Sequence, residues 1–370
     1  MCFIKLRYPP TSTHYSFVLN ESLKYPAVTI CRNPPFKTDI FQKYGFLNDE
    51  ITYATTWKTF KYDKFTIQEF FNEVTYNLSE MFSIVALDKF KKNLKISSTF
   101  TLTYGQCFTM SPEIESKKWG NKYGYYFYLA PKTNVSSTPQ KGFHVFIHEE
   151  REIFSEKISE DLFQEYIYIE TGDSIQVNLK INNYNQLPSN SNKCNSSFIY
   201  SKSMCMENNA NTKISTYARC QTPWIPNKSL PDCNNYKQLQ DIVTNSTSSL
   251  YLQNILQNTH CVRNCRTTLY LPLVQSIREI DHTEWSLKIY YSSNLIAQME
   301  EVVGYDFNNF VSDLGGSLGF LLGLSVLGAV GLIENVISST MKKTSLSKKL
   351  QQDVCSINGN SLKDTSGFDS

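Results

Sequence analysis

The stretch Leu314–Ile333, LGGSLGFLLGLSVLGAVGLI, decides the architecture that the sequence predicts. Its 20 residues carry no charge, lie between Asp313 and Glu334, and include six of the 15 glycines of the chain. As an α-helix, such a stretch rises about 30 Å, which is the thickness of the hydrocarbon core of a bilayer. A buried core helix is usually shorter, and each glycine costs a helix in water about 1 kcal/mol. The stretch is therefore predicted to be a transmembrane helix.

Three glycines of this stretch recur at intervals of four residues: Gly315, Gly319 and Gly323. At that spacing they lie on nearly one face of the predicted helix. In lipid, small residues on one face allow neighbouring helices to approach closely. A helix that only anchors a protein does not need such a face, so the pattern predicts helices that pack around a common centre.

The residues on the two sides of the span indicate its orientation. Lysines follow it at positions 342, 343, 348 and 349, which marks that side as cytoplasmic. Eight cysteines between Cys31 and Cys265 indicate an oxidising compartment on the other side. The N-glycosylation sequons all precede the span and are found at Asn20, Asn77, Asn134, Asn195, Asn227 and Asn245. We expect the large N-terminal part to be extracellular and Cys355 to be a reduced cytoplasmic thiol.

The average composition of the 370 residues is that of a neutral soluble protein, with 41% hydrophobic residues, a net charge of +2 and a mean hydropathy of −0.34. These values exclude a protein with many membrane spans. The 14% of aromatic residues argues against a disordered chain, and the missing basic excess argues against nucleic-acid binding. The N-terminal MCFIKLRYPP has neither a signal sequence nor a spanning helix, so we expect an earlier apolar segment to be missing.

The extracellular part is predicted to be of the α+β class. Residues 25–31 form a short apolar strand, and the capping box Thr66–Glu69 predicts a helix over residues 66–80. Ile175, Val177, Leu179 and Ile181 alternate with polar residues, which indicates a half-buried strand. Further strands are predicted within residues 96–110, 123–130, 142–148 and 285–292. Residues 188–265 contain six of the eight cysteines and favour helices linked by disulfides.

An enzyme is the second hypothesis. His144 and His148 share a face of a predicted strand, but no third metal ligand or general base accompanies them. No nucleophile elbow, P-loop or dinucleotide fingerprint is present. We therefore expect no enzymatic activity and no metal site. A third hypothesis is a single-pass, cysteine-rich receptor or adhesion ectodomain that does not conduct ions. A trimer would support a channel, whereas a monomer or dimer would support this receptor or adhesion protein.

Several segments together resemble the degenerin/epithelial sodium channel family, the amiloride-sensitive sodium channels. YPAVTIC at 25–31 resembles the motif after their first transmembrane helix, and SDLGGSLGFLLGLS at 312–325 resembles the start of their second, pore-forming helix. CVRNC at 261–265, followed by Tyr270, resembles the cysteine pair that closes their thumb region. YGQCFTM at 104–110 and LPSNSNKC at 187–194 also fit, so the resemblance covers residues 20–340 in order.

The resemblance implies a subunit of a trimeric, voltage-insensitive, sodium-selective and amiloride-sensitive cation channel of the plasma membrane, either a homomer or a heteromer. Each subunit has two membrane helices and a disulfide-rich extracellular domain with a β-sheet palm, helical fingers and a helical thumb. The chain is identified as an N-terminally truncated invertebrate member, because the first membrane helix is missing. For this reason we expect no current from this chain alone. The stimulus that opens the channel, including any extracellular ligand, cannot be read from the sequence.

The resemblance divides the chain into four parts. Residues 1–10 remain after the missing first membrane helix, and residues 11–312 are the extracellular domain, whose cysteine-rich thumb covers about 194–265. Residues 313–336 form the pore helix, and residues 337–370 form the cytoplasmic tail. The disulfides that the family's pairing implies are Cys31–Cys107, Cys194–Cys265, Cys205–Cys261 and Cys220–Cys233.

The resemblance places the selectivity filter at Gly323, Leu324 and Ser325. A narrow ring of backbone and hydroxyl oxygens from three chains can replace the water of a permeant sodium ion, and no other cofactor is expected. The pore mouth and blocker region comprises Asp313, Gly315, Gly316, Gly319 and Glu334, with Gly319 at the position of amiloride block. The family often carries an acid six residues after the filter serine, where this chain has Gly331. Sodium preference is therefore less firmly implied than conduction.

Overall fold

The computed structural model describes residues 2–48, 50–129, 141–157, 164–170, 172–189, 193–279, 285–322, 328 and 330–342. The predicted filter residues, sequon Asn134 and the Cys355 thiol lie outside the described residues. The chain divides into two compact units. One unit is Thr13–Val302, and the other combines Met1–Ser12 with Val303–Ser370.

The larger unit contains helices in two regions of the chain, separated by most of the strands. The named helices among the described residues are α1 (Cys2–Arg7), α2 (Phe41–Tyr44), α3 (Ile67–Val74), α4 (Leu78–Met81), α5 (Lys202–Ala218), α6 (Tyr236–Thr247), α7 (Ser249–Gln257) and α8 (Phe307–Leu322). Short 3₁₀ helices cover Thr38–Ile40, Ala54–Thr59 and Lys91–Asn93. The predicted helices of the cysteine-rich segment are thus present as α5, α6 and α7.

Among the described residues, the strands form two larger sheets and one short pair. They are β1 (Thr11–Leu19), β2 (Ala27–Asn33), β3 (Ile84–Leu87), β4 (Leu94–Thr101), β5 (Gly105–Pro112), β6 (Tyr125–Leu129), β7 (Gly142–His148), β8 (Glu165–Glu170), β9 (Asp173–Asn185), β10 (Cys194–Asn195), β11 (Arg263–Asn264), β12 (Arg266–Glu279), β13 (Trp285–Tyr291) and β14 (Leu295–Val303). A seven-stranded sheet has the order β1-β14-β9-β13-β6-β3, with β12 also paired to β9. A five-stranded sheet has the order β4-β5-β2-β7-β8.

Strand β9 is the centre of the seven-stranded sheet. It pairs antiparallel with β12 and parallel with β13 and β14. The predicted alternation is present, because Ile175, Val177, Leu179 and Ile181 are all buried. A strand with one apolar face needs a second layer to cover that face. The five-stranded sheet supplies this layer, since its apolar residues share one core with those of β9.

A second core is formed by the helices. It combines Phe70, Phe71 and Trp57 from the first helical region with residues of α5, α6 and α7 from the second. Trp224, in the loop after α5, contacts the first region, with ring centroids 5.8 Å from Trp57 and 4.8 Å from Phe71. The two helical regions therefore bury apolar side chains against each other. The prediction of a mixed α and β, disulfide-rich domain is confirmed.

The helix predicted over residues 66–80 is two helices. The capping box is present at the start of α3, where Thr66 Oγ1 accepts a hydrogen bond from the Glu69 backbone nitrogen at 3.1 Å. A second capping box, formed by Asn77 and Glu80, begins α4. Because Asn77 has extended backbone angles as an N-cap residue, the helix cannot continue through it. The single-helix prediction was wrong at this point.

The strand-rich segment 96–110 folds back on itself. β4 and β5 are antiparallel neighbours, and Thr101 pairs with Gly105 across the turn. Gly105 has a φ of 67°, and the Cβ of any other residue there would lie 2.6 Å from the Pro35 carbonyl oxygen. Glycine is therefore required for this hairpin. The hairpin places Cys107 of β5 opposite Cys31 of β2.

Helix α8 begins at Phe307, six residues before the predicted start of the pore helix at Asp313. Asp306 ends the preceding loop, and its Oδ1 accepts a hydrogen bond from the Asn309 backbone nitrogen at 2.8 Å. Residues 330–342 are also helical. Within the described part of the chain, no helix is both long enough and apolar enough to cross a membrane. The predicted span Leu314–Ile333 includes residues 323–327 and 329, which are outside that part.

Candidate functional site

The start of the candidate pore segment is held by a small polar cluster around Asp313. The Tyr305 hydroxyl donates to Asp313 Oδ2 at 3.0 Å, and Lys5 Nζ lies 4.0 Å from the same oxygen. The Lys5 ammonium also lies 5.4 Å from the centroid of the Tyr305 ring. Asp313 is thus on the second turn of α8 with two partners, whereas the sequence predicted only a charge at the outer mouth. Sequence reasoning missed Lys5 and Tyr305, since neither belongs to a recognised motif.

The glycines of α8 present an open backbone surface. A Cβ added to Gly315 or Gly316 would meet no heavy atom within 4 Å, and the same is true of Gly331 further along. Gly319 lies one turn after Gly315 on the same helix. The neighbouring apolar side chains Phe307, Val311 and Phe320 are exposed, Phe320 by 88%. This surface has space for another backbone to approach closely.

The remaining predicted pore residues are Glu334 and the three filter residues. Glu334 is exposed within the helical residues 330–342. Gly323, Leu324 and Ser325 lie outside the described residues, so their arrangement stays a prediction. The structure therefore brings together Asp313, Gly315, Gly316 and Gly319 on α8.

The four disulfides join the same cysteines that the resemblance pairs. Cys31–Cys107 links directly opposed residues of β2 and β5, with Cα atoms 4.4 Å apart. Cys194–Cys265 holds the β10–β11 pair, and Cys205–Cys261 ties α5 to the segment after α7. Cys220–Cys233 closes the loop between α5 and α6. Three of the four therefore stabilise the helical region.

A half-buried carboxylate, that of Glu152, connects this helical region to the sheets. Its oxygens accept hydrogen bonds from the Ser203 backbone nitrogen at 2.9 Å, the Ser201 hydroxyl at 3.0 Å and the Asn264 side-chain amide. Burial would raise the pKa of Glu152, but these bonds, with one from the Ser203 hydroxyl, outweigh burial and lower it. Glu152 thus supplies a negative charge to the first turn of α5, where the helix dipole favours it. No motif in the sequence marks Glu152 among the neighbouring Glu149, Glu150 and Arg151.

Burial shifts the pKa values of the neighbouring Glu149 and His148 towards their neutral forms, unlike the pKa of Glu152. Burial raises the pKa of Glu149, although Arg151 Nε lies 2.7 Å from its Oε1. His148 is buried, and burial lowers its pKa. Its Nδ1 lies 3.0 Å from the Glu149 carbonyl oxygen, which can only accept, so Nδ1 carries the proton. Nε2 then accepts from the Thr29 hydroxyl at 2.9 Å, and the ring is neutral.

The two histidines of β7 make hydrogen bonds to protein groups. His144 Nδ1 lies 2.8 Å from the Tyr166 hydroxyl oxygen, and burial lowers the pKa of this histidine too. Both nitrogens of His148 have protein partners. Among the residues that the structure describes, no group of three or more histidine, cysteine, aspartate or glutamate side chains could hold a metal ion.

An open groove of about 770 Å³ lies beside β9, β12 and β14. Three basic residues, Lys24, Arg151 and Arg266, and three acidic residues, Glu115, Glu149 and Glu150, line it. Lys24 Nζ lies 2.6 Å from Glu150 Oε2, and the Arg266 guanidinium lies over the exposed Phe198 ring at 4.5 Å. The groove therefore carries equal numbers of acidic and basic side chains.

The predicted sequons lie in different environments. Asn77 is exposed at the start of α4, and the Ser79 hydroxyl donates to its Oδ1 at 2.8 Å. Asn227 is half-buried, and its Nδ2 donates to Ser215 Oγ at 2.8 Å. Asn245 is half-buried within α6, and Asn20 and Asn195 are also half-buried. Asn77 is thus the most accessible of the five described sequons.

Comparison with known proteins identifies the class of protein. The sequence model of the amiloride-sensitive sodium channel family matches residues 2–335. The match spans most of the chain, and the chain belongs to the amiloride-sensitive sodium channel family. Membership supports a cation-channel subunit of the plasma membrane with a large extracellular domain. Members of this family are channels and not enzymes.

Comparison with curated proteins and with solved structures gives no further family assignment. No curated protein matches the chain. Among solved structures, the cryo-EM structure of a proton-activated chloride channel is similar at 7% identity and a TM-score of 0.33, covering 90% of this chain and 89% of that chain. At that TM-score the likeness carries no argument about fold or function.

Proposed function

We propose that this chain is a subunit of a trimeric, voltage-insensitive, amiloride-sensitive channel that conducts sodium ions across the plasma membrane. The observation that carries the proposal is the family match over residues 2–335, which includes the glycine-rich segment 312–325. The disulfide pairs support it, since they are the pairs that the family resemblance implies. The accessible glycine surface of α8 supports assembly from several subunits.

In this proposal, Leu314–Ile333 crosses the membrane and contributes one third of the pore. Gly323, Leu324 and Ser325 form the filter, because glycine leaves backbone carbonyls free to face the pore axis and serine adds a hydroxyl oxygen. Leu324 is bulky, and its side chain faces away from the axis. Gly319 lies in the region where amiloride binds, while Asp313 and Glu334 attract cations at the two ends.

The proposal also fixes the topology of the chain. Residues 11–312 are extracellular, residues 337–370 are cytoplasmic, and the complete subunit passes through the membrane more than once. The lysines after the span and the sequons before it support this orientation. The partners are identical or related channel subunits.

The test uses oocytes that express this chain together with a conducting subunit of the same family. We expect an amiloride-blocked sodium current whose sodium-to-potassium permeability ratio changes when this chain carries Ser325→Val. The matched control is Ser98→Val, at an exposed position of β4, which should leave the ratio unchanged. An unchanged ratio with surface-expressed Ser325→Val would refute the filter assignment.

Oligomeric state gives a second, independent test. Native mass spectrometry of the chain in detergent should give a trimer, alone or with related subunits. A monomer or dimer that adds no current at any subunit ratio would instead support a single-pass receptor or adhesion protein.

A further inference from the structure

A groove of about 690 Å³ lies between α4, β3 and the turn that follows β3. Ligand clefts commonly measure roughly 300–1,000 Å³, so this groove is large enough to hold a small ligand. β3 is the last strand of the seven-stranded sheet, and among the described residues its only strand partner is β6. Its other edge therefore has no strand neighbour there. Proteins usually cover such an edge, because its backbone groups can pair with another chain.

The lining of this groove combines apolar and cationic side chains. Ile84 is 49% exposed, and Leu78 is half-buried. Lys89 and Lys91 are exposed, and the described lining contains no acidic side chain. Such a lining suits a ligand that has apolar faces and also carries oxygens that accept hydrogen bonds from ammonium groups. A sugar ring has both, with C–H groups on its faces and hydroxyl groups around its rim.

A tight turn places Lys89 at the end of β3. Leu87 and Phe90 exchange backbone hydrogen bonds at 3.2 and 3.0 Å, which closes a two-residue turn. Its central residues, Asp88 and Lys89, have positive φ angles of 47° and 72°, as a type I′ turn requires. Asp88 is fixed in this conformation because its Oδ1 accepts a hydrogen bond from the Gly124 backbone nitrogen at 2.7 Å. The fold thus holds the lysine beside the groove.

An occupant can start from the groove itself, because the sequon residue Asn77 belongs to the lining. Asn77 Oδ1 accepts hydrogen bonds from the Ser79 hydroxyl at 2.8 Å and from the Glu80 backbone nitrogen at 3.0 Å. Asn77 Nδ2, the atom to which an N-linked glycan is attached, makes no hydrogen bond within the part of the chain that the structure describes. A glycan can therefore be added there without breaking a contact.

We propose that an N-linked glycan on Asn77 folds back into this groove. Its first sugars pack on Leu78 and Ile84 and accept hydrogen bonds from Lys89 and Lys91. The carbohydrate covers the open edge of β3 and prevents this edge from pairing with another chain. The inference rests on the proposed function, because only an extracellular segment receives such a glycan. It goes further in giving one glycan a fixed position and a role.

The test measures hydrogen exchange of the full chain, purified in detergent from an animal cell line, by mass spectrometry of peptides that contain β3. Ser79→Ala removes the sequon but keeps Asn77 as the N-cap residue of α4. We expect the β3 amides to exchange several-fold faster in Ser79→Ala than in the wild type. Ser79→Thr keeps the sequon and should match the wild type. Peptides of β8, the last strand of the other sheet, should exchange equally in all three.

A second arm tests contact with the groove rather than the presence of a glycan. Ile84→Ser keeps the sequon and removes an apolar side chain that is half exposed. The intact mass of this variant should show that the glycan is still attached. We expect Ser79→Ala to change β3 exchange much less when Ile84→Ser is also present, because the sugars no longer pack against the strand.

Equal β3 exchange in Ser79→Ala and in a wild type that carries the Asn77 glycan would overturn the proposal. Slow exchange in both would mean that another protein segment covers the edge, and fast exchange in both would mean that nothing does. An undiminished effect of Ser79→Ala beside Ile84→Ser would also overturn it. Glycans at other sequons but none on Asn77 would overturn this inference alone, whereas a chain without any glycan would contradict the extracellular topology of the proposed function as well.

Discussion

At the scale of single residues, His148 couples proton binding to the stability of the fold. The ring is 3% exposed, and both nitrogens have hydrogen-bond partners inside the fold. Burial lowers its pKa in the folded chain, whereas in the unfolded chain a histidine has a pKa of about 6.5. Below that pH the unfolded state binds a proton that the folded state does not bind. Stability is therefore lost as the pH falls through this region.

Replacing His148 by glutamine should remove this part of the pH dependence. We expect the thermal midpoint of the wild-type chain to fall between about pH 7 and 5.5, and to fall less steeply in His148→Gln. His260→Gln is the control, because its side chain is exposed. Equal slopes in the wild type and His148→Gln would contradict this role of His148.

The sequons Asn77 and Asn227 should differ in modification. Asn77 is exposed, whereas a glycan on Asn227 would break its 2.8 Å hydrogen bond to Ser215 on α5. In protein from an animal cell line, Asn77→Gln should reduce the apparent mass by one glycan, and Asn227→Gln should not. The measurement is gel mobility before and after treatment with a glycosidase. A mass loss in Asn227→Gln alone would contradict the expected order.

At the scale of elements, a buried ion pair connects the loop after β7 to α5. Lys157 Nζ lies 2.6 Å from Glu207 Oε1 and donates to the Trp224 carbonyl at 3.1 Å, with the lysine side chain only 4% exposed. Removing one partner of a buried pair typically costs about 3–5 kcal/mol, since the other charge stays buried. Lys157→Met should therefore lower the free energy of unfolding by about 3 kcal/mol.

The pair Lys43–Glu73 is the matched comparison for Lys157→Met. Its atoms are as close, at 2.5 Å, but the side chains are 50% and 39% exposed. Solvent screens such a pair, so Lys43→Met should cost less than about 1 kcal/mol. Denaturant unfolding of both variants measures the difference. If both variants lose a similar free energy of unfolding, burial does not determine how much each ion pair stabilises the fold.

Elements with a local signal could be predicted from the sequence. The capping box fixed the start of α3 at Thr66, and the alternation of Ile175 to Ile181 identified β9. Strands β1 and β14 carried no such signal. All nine residues of β1 are exposed, and β14 contains glutamine and two glutamates, so neither has a clear apolar face. These strands form because distant partners pair with them, which a local pattern does not contain.

The candidate site, like the fold, could be predicted from the sequence only where a motif marks its residues. Family motifs located Asp313 and the glycines of α8, but not the Tyr305 and Lys5 side chains that hold Asp313. Glu152 was also missed, because its partners Ser201, Ser203 and Asn264 follow it by 49 to 112 residues. Hydrogen-bond networks that span such separations depend on the completed fold.

At the scale of the whole molecule, the proposed trimer makes a prediction about the glycine surface of α8. A Cβ at Gly315 would meet no heavy atom of the described residues within 4 Å, so the Gly315→Leu chain should fold as before. In the proposed trimer this face packs closely against other subunits, and a bulky side chain would separate them. Gly315→Leu should therefore shift the protein from trimer to monomer in native mass spectrometry.

Ser317→Leu separates loss of close packing from a general effect of leucine on the helix. Ser317 is exposed two residues after Gly315, about 200° around an α-helix and so on the opposite face. This variant should remain trimeric. The thermal midpoint of the chain's larger unit should be the same in both variants, because neither position belongs to the unit Thr13–Val302. If Gly315→Leu stays trimeric, or if both variants dissociate, the glycine face is not the contact between subunits.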